Sequence, residues 1–149
     1  MPQTIACSIV ASRFDYCNAL LYRAPVATII NKLQRAQDNL ARVVCQCRGR
    51  SDARPRSLHR LPIRQHIEYK IALITYKALK TWNPPYLADL LEIQVTSRAA
   101  CSSDAPHIVL PRTRTELAKR AFAAAAPVIW NSLPAAFCHC QTVLAFKNI

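Results

Sequence analysis

LPIRQHIEYKIALITYKALKT, residues 61–81, sets Ile63, Ile67, Ile71, Ile74 and Ala78 three or four positions apart, the spacing that lines one face of an α-helix. Pro62 suits the first turn, where a missing N–H costs nothing. The stripe runs up to Trp82, while Arg64, Lys70, Lys77 and Lys80 fall on the opposite face beside Tyr69 and Tyr76. A helix built this way needs other apolar faces to pack against. Working outward, Pro84 and Pro85 open a further short helix through Tyr86, Leu87, Leu90 and Leu91. Upstream, Val26, Ile29, Ile30, Leu33, Leu40 and Val44 recur with helical steps, with Lys32, Arg35 and Arg42 between them. Before that, Ser12 to Tyr22 is expected as a short helix with a serine N-cap, stopping ahead of Pro25.

Between Arg42 and Arg64 lie seven arginines, one acid (Asp52), Pro55 and the chain's single glycine, Gly49, a composition that predicts a solvated basic loop over residues 46–61. Gln94 to Pro106 is polar and reads as a second loop, followed by a short β segment from His107 to Leu110 that Pro111 ends. Arg120 to Leu133 is expected as two short helices parted at Pro127, because an interior proline removes a hydrogen bond and crowds the preceding turn. Thr142 to Ile149 starts like another helix but leaves Val143, Leu144 and Phe146 little chain to pack against, so the sequence reads as truncated. One glycine and the absence of any Asn-Gly or Asp-Gly turn argue for helix and against an all-β fold. The expected fold is mostly α, an irregular bundle of about five to seven helices with at most one small β element. Its two regions are 1–93, which includes the basic loop, and 94–149.

Twenty Lys and Arg against eight Asp and Glu give a formal charge of +12, and fourteen of the twenty are arginine, whose planar fork suits phosphate. So large an excess repels itself unless a polyanion neutralises it. The expected partner is RNA and/or DNA, bound largely without regard to sequence through Arg42, Arg48, Arg50, Arg54, Arg56, Arg60, Arg64, Lys70, Lys77, Arg112 and Arg114. Tyr69 and Tyr76, each followed by a lysine, are candidates to stack on bases, or else they cap the edge of a core. Seven cysteines without a basic leader point to reduced thiols and an intracellular protein, nuclear or cytoplasmic and not secreted. No apolar run approaches the roughly 20 residues of a membrane span.

The eight acids are scattered with no Asp-Asp pair, so no two-metal phosphoryl-transfer site is expected. Cys45/Cys47 and Cys138/Cys140, the latter pair enclosing His139, contain zinc-ligand types, but structural zinc sites separate their cysteines by roughly two to four residues. They are read as small apolar residues, and no metal or other cofactor is expected. One glycine rules out a Gly-rich phosphate loop, and no nucleophile and base are framed for catalysis.

Several phrases, in order, resemble the region after the palm in reverse transcriptases of non-LTR (LINE-type) retrotransposons. Ser12 to Tyr22 is close to that family's SRLDYCNALLYG, and Ile29 to Val44 is similar to LNRLQRVQNAAARLV. Leu61 to Leu79 resembles LPVRQRIEFKILLLTYKAL, followed by Pro85-Tyr86-Leu87 and Leu90-Leu91. Val109 to Thr115, Arg120-Ala121-Phe122, Ala126 to Pro134 and Leu144 to Lys147 continue the likeness across nearly the whole chain. The resemblance implies the thumb and the helical region after it, which clamp template and primer. The catalytic aspartates belong to an upstream palm, so no enzyme activity is expected from this segment, and the polymerase's upstream domains become a second expected partner. Where the family has glycine after Leu-Leu-Tyr, this chain has Arg23, which implies local backbone strain if that position needs positive φ. Two rival readings are a helical protein-interaction module and a translated transposon relic.

Overall fold

The computed structural model describes residues 2–16, 18–24, 26–44, 61–94 and 107–148. It is built from helices, and among the described residues the only β pairing is one antiparallel bridge, Ile93 to Ile108. Among the described residues seven α-helices follow in order: α1 (Pro2–Asp15), α2 (Asn31–Val44), α3 (Ile63–Thr81), α4 (Pro85–Ala88), α5 (Phe122–Ser132), α6 (Ala135–Cys138) and α7 (Val143–Asn148). Short 3-10 turns at Asn18–Leu21 and Ala118–Arg120, and a π-helical turn at Val26–Ile30, lie between them. The chain divides into two compact units, Met1–Ile67 and Glu68–Ile149.

In the first unit, α1 begins at Pro2 and carries through Ser12, so this serine does not cap a helix. Its hydroxyl donates back to the Ile9 carbonyl at 2.8 Å, the inward bond that a mid-helix serine makes when it has no free N–H to receive. Asn18–Leu21 is a 3-10 turn, and the chain then reverses at Arg23, whose φ of 56° is the left-handed value that favours glycine. The strain implied by an arginine at that position is therefore present. Ala24, Ile30 and Ala41 are buried here, whereas Arg42 and Val43 face solvent.

Two glutamines of α2 hold the start of α3. Gln34 Oε1 accepts from the Ile63 backbone N–H at 3.0 Å, one of the donors that a helix N-terminus leaves without a partner. Gln37 Nε2 donates to the Leu61 carbonyl at 3.2 Å. Gln34 is itself oriented by Nε2 donating to Asp38 Oδ1 at 2.9 Å. His66 Nε2 lies 2.9 Å from Asp15 Oδ1, which joins the end of α1 to the first turns of α3.

The second unit closes around the C-terminal part of α3. Ile71, Ala72, Thr75, Tyr76 and Ala78 are buried, as are Ala124 to Pro127, Ile129, Trp130, Cys138, Cys140 and Phe146. Pro84 and Pro85 open α4 as the sequence suggests, with proline in the first turn. The β segment reduces to the bridge, where Gln94 N donates to the His107 carbonyl and Val109 N to the Glu92 carbonyl, each at 2.8 Å. Asn131 completes it from α5: its Oδ1 accepts from Ile108 N at 3.0 Å and its Nδ2 donates to Ile108 O at 2.9 Å.

Two expectations are corrected in this unit. Pro127 does not split its segment, since α5 runs continuously from Phe122 to Ser132. The residues before it, Ala123 to Ala126, carry only methyl groups, and the proline ring is fully buried. Its apolar contact offsets the single missing bond. Phe146 does not lack a partner either: it is 1% exposed, with its ring centroid 4.7 Å from Tyr76 and 5.6 Å from Phe137.

Candidate nucleic-acid interface

Of the arginines assigned to phosphate, Arg48, Arg50, Arg54, Arg56 and Arg60 lie outside the described residues. Arg42 and Arg64, which bound that stretch in sequence, are both exposed in the first unit. They sit in the last turn of α2 and the first turn of α3. In the second unit, Lys77, Arg112 and Arg114 are exposed and Lys70 is half-buried.

α3 brings some of these together. At 100° per residue, Lys70, Leu73, Lys77 and Lys80 fall within one arc of the helix, clear of the buried arc that holds Ile71, Thr75 and Ala78. The only acid of α3, Glu68, lies away from that arc. Lys70 and Lys77 are two turns apart, about 10 Å along the axis, far enough to meet different phosphates of one strand. The exposed lysines of the stripe, Lys77 and Lys80, can therefore engage phosphates from one arc of the helix. Lys80, which the sequence reading did not assign to phosphate, extends it by a turn. The signal that could have found it is its spacing from Lys77, three positions on.

Arg112 and Arg114 belong to the non-helical stretch that follows the Ile93–Ile108 bridge. The bridge and the Asn131 clasp fix where that stretch leaves the fold. Thr113 between them is half-buried, so the two guanidinium groups reach solvent on either side of a residue turned toward the protein.

Tyr76 is not placed to stack on a base. It is 1% exposed, its hydroxyl donates to the Cys140 carbonyl at 2.9 Å, and burial, with the nearby Cys140 adding to it, pushes its phenol above the ordinary value of 10.0. Tyr69 remains half-buried, and burial raises its phenol in the same direction. Cys138 and Cys140 are both buried. Burial pushes the Cys138 thiol up against the opposing pull of the Lys80 charge, with Cys140 adding to the rise, while Cys140 Sγ donates to the Ala136 carbonyl at 3.3 Å. Buried thiols in a core pack as small apolar groups. Among the described residues no three His, Cys, Asp or Glu side chains gather as a metal-ligand set, and no helix is long and apolar enough to cross a membrane.

No protein-family model, no curated protein and no solved structure matches this chain.

Proposed function

We propose that this chain is a non-catalytic grip on nucleic acid, corresponding to the thumb and post-thumb region of a LINE-type reverse transcriptase. It binds RNA and/or DNA, template or primer, largely without regard to sequence. The observation that carries the reading is the exposed lysine pair on one arc of α3, Lys77 and Lys80, within a chain of net charge +12. The ordered series of phrases resembling that family supports the same reading. In this role α3 does two jobs: its inner arc builds the core of the second unit, and its outer arc presents charge to phosphates. The arginine-rich stretch between α2 and α3 adds sequence-independent affinity, and Arg112 and Arg114 contribute from the segment after the bridge. Polymerisation chemistry then belongs to upstream domains that this segment serves, inside the cell.

The test is binding of the purified chain to a labelled RNA–DNA hybrid over a salt series. Log affinity is expected to fall linearly with log salt, because each neutralised phosphate releases a counterion. Replacing Lys77 and Lys80 by Gln lowers affinity and flattens the slope by about 0.9 for each phosphate that is no longer neutralised. An unchanged slope removes α3 from the interface, and no binding at low salt removes the proposal.

A further inference from the structure

Two positions after Lys80 stands Trp82, the residue directly after α3. Its backbone φ is 53°, the left-handed region that L-residues other than glycine and asparagine seldom occupy. This is the helix-terminating position at which glycine is favoured, and tryptophan there is costly to fold. Nor does burial of the ring repay that cost, since it is 65% exposed. Strained backbone conformations of this kind cluster at ligand-binding positions. Lys77 and Lys80 are both exposed within five positions of it. Tyr86, 66% exposed, offers a second ring four positions on. The exposed acids Asp89 and Glu92 come after Tyr86 in sequence, while the exposed lysines Lys77 and Lys80 come before Trp82. Phosphate-binding charge that leads to an open indole is the composition of a site for single-stranded nucleic acid, where every base has a face to stack.

We infer that Trp82 is a stacking platform for an unpaired nucleobase, placed where a strand whose phosphates follow Lys77 and Lys80 runs out along α3. This rests on the nucleic-acid reading above and narrows it to single-stranded chain at this end of the helix. It also explains why a residue so poorly suited to its backbone angle stands there: glycine would end α3 more easily but would offer the base nothing.

The experiment compares binding of the full chain to labelled oligo(dT) and to an abasic deoxyribose-phosphate oligomer of equal length, for wild type, Trp82→Gly and Trp82→Tyr, with thermal midpoints of all three. The wild type is expected to prefer oligo(dT) by about tenfold, in keeping with the usual contribution of one stacked base. Trp82→Gly loses this preference, keeps its abasic affinity and melts no lower than wild type. Trp82→Tyr retains part of the preference. A glycine variant that still prefers oligo(dT) overturns the inference. Equal wild-type affinity for the two probes overturns it while leaving the phosphate grip standing, and no affinity for either overturns both. Loss of self-association in Trp82→Gly with nucleic-acid binding unchanged would instead assign the ring to a protein interface and likewise overturn the inference.

Discussion

Tyr76→Phe isolates one hydroxyl in the core of the second unit, and its consequences can be worked through in two independent ways. The phenol donates to the Cys140 carbonyl at 2.9 Å, and the residue is 1% exposed. Phenylalanine keeps the ring against Phe146 but removes the donor. A hydrogen bond contributes about 1 kcal/mol net, and stranding a buried acceptor raises the loss, so about 1.5 kcal/mol is expected near neutral pH. For a chain of this size that lowers the thermal midpoint by about 3–6 °C. The second consequence concerns pH. Burial raises the Tyr76 phenol above its ordinary 10.0 in the folded chain, so the folded state holds this proton more tightly than the unfolded state. The associated stability is present in full below pH 10 and is lost as pH rises from there through the raised value, at up to about 1.4 kcal/mol per pH unit. Phenylalanine has no such proton, so the penalty of the substitution should shrink above pH 10. Urea unfolding followed by circular dichroism at pH 7.5 and across the alkaline limb measures both. A variant within about 0.3 kcal/mol of wild type at neutral pH, or a penalty that is the same on both sides of pH 10, would refute a buried, donating hydroxyl.

Arg23→Gly should stabilise the first unit by about 0.5–1 kcal/mol, because relief at φ 56° exceeds the added flexibility of the unfolded chain; a lower melting point would show that the arginine side chain matters more than its backbone. Gln34→Ala takes away the acceptor for the Ile63 N–H and should cost about 1 kcal/mol, as loss of a helix cap does, with the amide-exchange change centred on the first turn of α3. Asn131→Ala breaks both bonds to the Ile108 backbone and should cost about 2–3 kcal/mol, seen as diminished hydrogen-exchange protection at Ile108 and Val109; retained protection there would mean the bridge stands without its clasp.

The elements with strong local signals were legible in the sequence. α2 and α3 follow from apolar steps of three and four, α4 from its paired prolines, and the bridge from a short apolar run closed by Pro111. What escaped depended on distant partners. Ser12 looks like a cap only if the helix starts there, and whether the preceding residues are helical is not written in the serine. Tyr76 lies beside Lys77 in sequence, and a stripe of isoleucines gives no hint that the buried arc of α3 widens to take in a phenol whose partners are at Phe146 and Cys140. Pro127 breaks helices on average, but four alanines and a buried ring reverse the balance at this position. The candidate interface was legible in kind, as basic residues with helical spacing, whereas Trp82 was not. Its exposure and its backbone angle exist only in the folded chain.

Phe146 gives the second unit a particular order of assembly. In the core of that unit a ring from α7 is seated on Tyr76, whose hydroxyl bond to Cys140 already spans 64 positions of chain. Contacts of such long sequence separation must overcome loop-closure entropy before they contribute, which slows folding. During synthesis, the packing of the first unit becomes available while α5, α6 and α7 are still unmade. The contacts of Tyr76 and Phe137 with Phe146 can form only once α7 has been made.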